Sequence, residues 1–192
     1  MLDKRAKDTL IANMNFIHES YFDQHLCDTL VAFCKNGKPY EGAIGKNKVD
    51  HTIKKSLDLH ISEELIPPVN EALQKVVDEY ITKFPWCNGY AKWGVVSTPH
   101  IQYYGPNDGF YAWHTERSNA KPGIRERHLV FMVYLNDVTY GGGTEFHHQN
   151  LIIQPVKGKA LIWPVDWTYT HRGIPSPTQD KYILTGWFEF LE

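Results

Sequence analysis

The part of the chain that most constrains the fold begins at Trp93, where short β-prone runs follow one another to the C-terminus. The runs are rich in Val, Ile, Tyr, Phe and Trp, and Gly, Pro, Asn and Asp separate them. The predicted strands are Gly94 to Tyr104, Phe110 to His114, His128 to Leu135, Thr144 to His147, Leu151 to Gln154, Ala160 to Trp163, Thr168 to His171 and Lys181 to Phe190. Many short strands after leading helices predict a double-sheet jelly roll, whose mouth is a natural ligand site.

Two helices are predicted before these strands. One runs from Asp23 to Cys34 after an Asp cap, and the other runs from Ser62 to Phe84, with Pro67 and Pro68 moving its start later. Ser56 to His60 alternates apolar and polar residues and predicts a strand. We therefore expect a mostly β fold with flanking helices (α+β) and a single domain over residues 1–192. Helical support over about 1–90 would pack against the major sheet of a double-stranded β-helix core over about 91–192.

Charge and cysteine content limit the classes of function. The chain has 20 Lys and Arg against 22 Asp and Glu, a net charge of −2, so the general attraction to phosphate of many nucleic-acid binders is missing. Three cysteines fit buried thiols in a reducing compartment better than a disulfide framework. No stretch has the pattern of a signal peptide or the length of a membrane span. We therefore expect a cytoplasmic protein with no nucleic-acid or membrane partner.

A metal site is the main functional prediction. His114 and Glu116 are two residues apart in a β-prone run, so in an extended strand both side chains would project from one face. His171, which precedes the final β-like run, is the best candidate for a third ligand. Two imidazoles and one carboxylate form the facial triad typical of non-haem Fe(II) oxygenases, with positions left open for an oxoacid and for dioxygen. These three residues are our candidate metal ligands and catalytic residues.

The spacing alone leaves other interpretations open. His114 and Glu116 could be an ordinary pair on a solvated strand face, and His171 could be a core or turn histidine. His147 and His148 are a rival pair of ligands, but adjacent strand residues point to opposite faces, so they cannot reach one ion without a bulge.

Six segments of the chain, in their order, resemble the motifs of the 2-oxoglutarate and Fe(II)-dependent dioxygenases, and most closely the prolyl 4-hydroxylase-like branch. They are Tyr104 to Glu116, Arg127 to Asn136, Gly141 to Phe146, Gly158 to Trp163, His171 to Gly173 and Lys181 to Trp187. The family's usual carboxylate ligand is Asp, whereas this chain has the longer Glu116, which some members of the wider superfamily also use.

The resemblance implies cofactors and further site residues. It implies Fe(II), 2-oxoglutarate as co-substrate and O2, and it allows for ascorbate. It places Lys181 at the C5 carboxylate of 2-oxoglutarate, although Arg172 could bind that carboxylate instead. The other implied roles are hydroxyl support for the co-substrate from Tyr104, Tyr134 and Thr144, and substrate binding by Arg127 and Trp187.

The function predicted in this way is a dioxygenase that hydroxylates a C–H bond, with succinate and CO2 as co-products. The resemblance favours a prolyl residue in a protein or peptide as substrate, and a free amino acid is an open alternative. Residues 117–126 are predicted to form a mobile lid.

Two other functions compete: a Zn hydrolase with the same His/Glu/His site, and a non-catalytic jelly-roll protein that binds a small acid. A nucleic-acid demethylase is disfavoured by the net charge and by Lys at the carboxylate position.

Overall fold

The computed structural model describes residues 15–45 and 48–191, and strands dominate them. The strands are β1 (His18–Tyr21), β2 (Tyr40–Glu41), β3 (Leu57–His60), β4 (Trp93–Gly94), β5 (His100–Tyr104), β6 (Arg127–Tyr134), β7 (Thr144–Phe146), β8 (Leu151–Ile153), β9 (Lys159–Pro164), β10 (His171–Gly173) and β11 (Lys181–Phe190). The larger sheet has the order β1-β9-β6-β11-β5-β3-β2, with β4 also paired to β11, and the smaller has the order β10-β7-β8. All of these pairings are antiparallel. The predicted mostly β fold is confirmed.

Among the described residues, two α-helices precede the central strands, as the sequence predicts. Helix α1 (Gln24–Asn36) begins after Asp23, whose side chain accepts a hydrogen bond from the backbone N–H of Leu26 at 3.0 Å. Helix α2 (Ile66–Lys83) follows a short 3-10 turn, and its two prolines lie in the first turn, where a missing N–H costs little. Within the described ranges, no helix combines the length and apolar composition needed to cross a membrane.

The two faces of the larger sheet have different partners, which is visible along β6. Leu129, Phe131 and Val133 belong to a buried cluster that includes residues of both helices, among them Leu30 and Leu73. The alternate residues of β6 belong to a second cluster, together with residues of the smaller sheet; they are Val130, Met132 and Tyr134, and the smaller sheet contributes Phe146 and Ile153. The helices therefore pack on one face of the larger sheet, as expected, and the other face turns inward toward the smaller sheet.

Three of the predicted strands differ from the observed ones. The run from Gly94 to Tyr104 is interrupted, because the backbone N–H and hydroxyl of Ser97 both donate to the carboxylate of Glu189, at 3.1 and 2.7 Å. Strand β4 therefore ends at Gly94 and β5 begins at His100.

The prediction of a regular strand from Phe110 to His114 is wrong. This segment forms only isolated bridges, from Phe110 to Lys54 and from His114 to His171. The backbone partner changes from Lys54 to His171 within four residues, so a regular ladder of strand hydrogen bonds cannot form. Likewise, Thr168 to His171 is not a strand throughout: a 3-10 turn at Trp167–Tyr169 precedes β10.

A buried ion pair lies at β3, next to β5. Lys54 Nζ lies 2.7 Å from Asp58 Oδ2, and the two side chains are only 3% and 6% exposed. The hydroxyl of Ser56 donates to the other oxygen of Asp58 at 2.7 Å, and Gln102 lies next to Asp58 in the sheet register. Because both charges are out of water, each depends on the other.

We expect Asp58→Asn to lower the free energy of unfolding in urea by about 3–5 kcal/mol, since it leaves the Lys54 ammonium buried without a counter-charge. The matched control is Glu71→Gln, which removes a carboxylate from another i,i+4 Lys pair whose side chains are 75% and 73% exposed. That change should cost about 0.5 kcal/mol or less. Equal losses in the two variants would contradict the role assigned to the buried pair.

Candidate metal centre

The structure brings the three predicted metal ligands together. His114, Glu116 and His171 each offer one ligand atom, and these atoms all lie within 4.8 Å of one another. Glu116 Oε1 lies 3.6 Å from His114 Nε2 and 3.4 Å from His171 Nε2. Two ligand atoms bound to one ion at about 2.1 Å stand roughly 3.0–3.4 Å apart. The two distances from Glu116 Oε1 therefore lie within a few tenths of an ångström of the spacing in a metal site.

Backbone pairing sets the distance between the two histidines. The N–H of His114 donates to the carbonyl of His171, and the N–H of His171 donates to the carbonyl of His114, both at 3.0 Å. His171 is in turn fixed in the smaller sheet, where it lies opposite Phe146. This isolated bridge replaces the regular strand that we predicted for His114. The carboxylate of Glu116 nevertheless lies next to both imidazoles.

Hydrogen bonds at the far side of each ring select the ligand atom. His114 Nδ1 lies 3.0 Å from the carbonyl of Ala112, and His171 Nδ1 lies 2.9 Å from the carbonyl of Tyr169. A carbonyl can only accept, so each Nδ1 donates, and each Nε2 is left to bind a metal. Phe110 stacks on His114 with ring centroids 3.6 Å apart and further restricts the ring.

The electrostatic state of the group suits a cation. Burial lowers the pKa of His114, and the neighbouring His171 lowers it further, which favours the neutral imidazole. Burial alone would raise the pKa of Glu116, but the contacts with His114 and His171 outweigh it and hold that pKa well below its ordinary value. A neutral imidazole and an ionised carboxylate are the forms that metal ligation requires.

Lys181 is the second feature of the site. It begins β11 on the inward face, is 4% exposed, and its Nζ lies 4.6 Å from the ring centroid of Tyr104. Nζ donates to the carbonyl of Gly142 at 3.1 Å, and no carboxylate within residues 15–45 and 48–191 forms an ion pair with it. Burial lowers the pKa of Lys181 to about 8. A buried ammonium with two unused protons is suited to an anionic ligand.

The turn that meets Lys181 requires glycine. Gly142 has φ of +73°, and a Cβ there would lie 2.7 Å from a methyl group of Val138. Only glycine adopts this conformation at so little cost, and the conformation directs the carbonyl of Gly142 toward the ammonium. The sequence indicated a turn at Gly141 to Gly143 but not this contact.

The three predicted supporting hydroxyls fall into two groups. Tyr104 presents its ring to Lys181, while its hydroxyl donates to Gln102 Oε1 at 2.7 Å. The hydroxyls of Tyr134 and Thr144 lie 2.7 Å from each other, and that of Tyr134 also donates to the carbonyl of Ile153 at 3.1 Å. The structure therefore places Tyr104 at Lys181, and it pairs Tyr134 with Thr144.

Arg127 and Trp187 both contact the carboxylate of Glu116. Trp187 Nε1 donates to Glu116 Oε2 at 3.1 Å, and Arg127 Nη1 lies 3.5 Å from the same oxygen. The guanidinium also stacks on the indole, with Cζ 3.5 Å from the ring centroid. The sequence assigned both residues to the substrate entrance and gave no signal for their contact with a ligand.

The rival residues lie elsewhere. Arg172 alternates with the inward residues of β10, pairs with Glu145 at 2.8 Å and stacks over Trp113. His147 and His148 are exposed and belong to no group of three candidate ligands in the described part of the chain. Neither Arg172 nor this histidine pair is placed to compete with the residues of the site.

A separate cavity of about 480 Å³ lies outside the site, and its lining does not include the three ligands. Aromatic residues such as Phe84 and Trp86 line it together with Arg117. Arg117 follows Glu116 directly in the chain and pairs with Asp166 at 2.7 Å. Arg117 therefore lines the cavity, while its neighbour Glu116 belongs to the candidate metal group.

Comparison with known proteins finds a family model that matches the part of the chain containing this arrangement. Residues 99–189 match the family model described as the 2OG-Fe(II) oxygenase superfamily, and this range includes all three ligands and Lys181. A comparison with curated protein sequences found no match.

Solved structures share the fold over nearly the whole chain. A viral collagen prolyl hydroxylase from Paramecium Bursaria Chlorella virus-1, in complex with 2OG, is 18% identical, with a TM-score of 0.69 and coverage of 94% of this chain and 99% of that one. A prolyl-4-hydroxylase from Pseudomonas putida is 19% identical, with a TM-score of 0.71 and coverage of 95% and 96%. A prolyl hydroxylase from Trichoplax adhaerens, in complex with a hypoxia inducible factor peptide fragment, is 18% identical, with a TM-score of 0.73 and coverage of 96% and 91%. These likenesses establish the fold.

We expect His171→Ala to abolish the binding of a divalent metal, because two ligands cannot hold the ion that three position. Binding is measured by titration with Co(II), followed by calorimetry and by visible absorption. His148→Ala is the control, since it removes an exposed histidine and should leave the titration unchanged. Metal binding that survives His171→Ala and is lost with His148→Ala would place the ion at the rival pair.

Proposed function

We propose that this chain, whose residues 99–189 match the family model of the 2OG-Fe(II) oxygenase superfamily, is a dioxygenase that hydroxylates a C–H bond. In the proposed reaction one atom of O2 enters the product alcohol, and the other enters succinate as 2-oxoglutarate loses CO2. Bound Fe(II) would supply the chemistry that activates O2. The chain supplies the ligands, an anchor for the co-substrate and a partly enclosed site.

The observation that carries the proposal is a triad of ligand atoms beside a buried ammonium with no counter-charge among the described residues. His171 and Gly173 are two residues apart on β10, which is a rise of ~7 Å. A Cβ on Gly173 would lie 3.6 Å from Lys181 Nζ. This span is comparable with the length of a five-carbon diacid. We therefore assign the triad to Fe(II) and Lys181 to the far carboxylate of 2-oxoglutarate.

The remaining co-substrate contacts are assigned to Tyr104, Tyr134 and Thr144. Two observations support this assignment: the ring of Tyr104 faces Lys181, and Thr144 lies opposite Gly173 in the register of β7 and β10. The paired hydroxyls of Tyr134 and Thr144 can turn one O–H toward a carboxylate without leaving the other oxygen unbonded.

We propose a prolyl residue of a protein or peptide as the substrate, and a free amino acid is the alternative. Solved prolyl hydroxylases with this fold support the first, among them one in complex with a peptide. Arg127 and Trp187 are assigned to substrate binding, and residues 117–126, which contain no helix or strand, to a lid. A cytoplasmic location and the absence of nucleic-acid and membrane partners stay predictions.

The decisive experiment measures succinate. The purified protein with 2-oxoglutarate, O2 and ascorbate should form succinate when Fe(II) is added. Incubation with proline-containing peptides and with cell extract should give a product that has gained one oxygen atom, detected by mass spectrometry. Hydrolytic activity with Zn(II) alone would instead identify a hydrolase, and binding of 2-oxoglutarate without turnover would identify a non-catalytic acid-binding protein.

We expect Lys181→Met to weaken the binding of 2-oxoglutarate at least tenfold, since losing one partner of a buried charge pair costs about 3–5 kcal/mol. Binding is measured by calorimetry in the presence of Mn(II), which avoids turnover. Arg172→Gln is the control, because it removes the rival cation, which faces away from the site. If Arg172→Gln weakened the binding of 2-oxoglutarate and Lys181→Met did not, the far carboxylate would be assigned to Arg172 instead.

The same titration has a pH dependence that identifies the anchor. Burial lowers the pKa of Lys181 to about 8, so the free protein loses the positive charge as the pH rises through 8. Affinity for 2-oxoglutarate should therefore fall between pH 7 and 9 in the unmodified protein. In Lys181→Arg it should stay constant, because a guanidinium keeps its charge over this range.

A further inference from the structure

The two oxygens of the Glu116 carboxylate have different partners. Oε1 faces the ligand atoms of His114 and His171, at 3.6 and 3.4 Å. Oε2 faces away from them and accepts a hydrogen bond from Trp187 Nε1 at 3.1 Å, with Arg127 Nη1 at 3.5 Å. From this division, and resting on the proposed metal site, we propose that Trp187 and Arg127 are positioning residues that hold Glu116 as a one-oxygen ligand.

The count of coordination positions explains why such a restraint matters. Three protein ligand atoms leave three positions on a six-coordinate ion, which are enough for a chelating oxoacid and for O2. A carboxylate that chelates through both oxygens removes one of these positions. Glu116 has one more rotatable bond than the usual Asp, so its second oxygen turns toward the ion more easily unless it is held.

Three contacts restrain the two residues themselves. Arg127 Nη1 donates to the backbone carbonyl of Glu116 at 2.7 Å, so the guanidinium is fixed to the same residue whose side chain it faces. Its plane covers the indole of Trp187 at 3.5 Å, and the ring of His100 lies 5.9 Å from that indole. The donors to Oε2 are therefore themselves held in place, which lowers the entropic cost of ordering the carboxylate.

The competing explanation is that Trp187 is only an apolar wall. In that case the indole N–H is dispensable, and Trp187→Phe should behave like any other loss of a half-buried indole. The chain offers a matched comparison in Trp93, which is also half-buried and whose Nε1 also donates a 3.1 Å hydrogen bond, here to the carbonyl of Cys87.

The test is a Co(II) titration of the full chain, followed by affinity and by the visible absorption of the bound ion. Trp187→Phe should weaken Co(II) binding about 10- to 100-fold, the usual effect of losing a partner of a metal ligand. It should also change the absorption spectrum, because the second oxygen is released toward the ion. Trp93→Phe should change neither. If Trp187→Phe does not fold, Arg127→Lys, which keeps the charge but loses the planar fork, carries the same expectation.

A double-mutant cycle on Co(II) affinity separates the positioning role from a packing role. In Glu116→Asp the carboxylate is shorter and withdraws from the indole, so Trp187→Phe should then cost little further affinity. Equal effects of Trp187→Phe and Trp93→Phe, or additive effects in the cycle, would overturn the positioning role while leaving the metal site intact. An unmodified chain that binds no Co(II) would instead overturn the proposed function.

Discussion

The site depends on two backbone hydrogen bonds between residues that are far apart in sequence. The reciprocal N–H to carbonyl bonds of His114 and His171 join an irregular segment to the smaller sheet. Because the atoms are backbone atoms, the distance between the two imidazoles does not depend on side-chain rotamers alone. Glu116 follows two residues later on the same segment. The geometry of the metal group is therefore set by chain topology, and the side chains around it refine that geometry.

The two faces of the larger sheet differ in the side chains that they carry. Its outer face is apolar and packs against α1 and α2, whereas its inner face also carries buried charged side chains, among them Asp58 and Lys181. Alternation along each strand separates the two sets. On β5, Ile101 packs with the helices, whereas Gln102 accepts the hydroxyl of Tyr104 and lies beside Asp58. The buried pair of Lys54 and Asp58 belongs to this inner set, and its satisfied hydrogen bonds keep a polar interior compatible with stability.

The sequence predicted those features that depend on periodicity and order. Helix α1 and strand β11 appear almost as expected, because one carries a cap with a helical apolar pattern and the other a long β-prone run. The prediction was wrong for Phe110 to His114, where partners change from Lys54 to His171 and local propensity cannot indicate this. In the candidate site, motif order predicted the convergence of His114, Glu116 and His171 and the burial of Lys181, and both are observed. The contacts of Trp187 and Arg127 with Glu116 did not, since they arise from side chains of three elements that meet only after packing.

The lone ammonium inside the barrel has a consequence for selectivity. In the described part of the chain, Lys181 contacts the carbonyl of Gly142 and the ring of Tyr104. Neither contact can distinguish acids by their length or substitution. Under the assigned role, Lys181 would bind the departing product as readily as the incoming reagent, since both are dicarboxylates. Discrimination would then fall to the ion held by His114, Glu116 and His171, which would favour a 2-oxo acid because that acid offers two oxygens. Under the same assignment, accumulating product would compete with the co-substrate for the ammonium of Lys181.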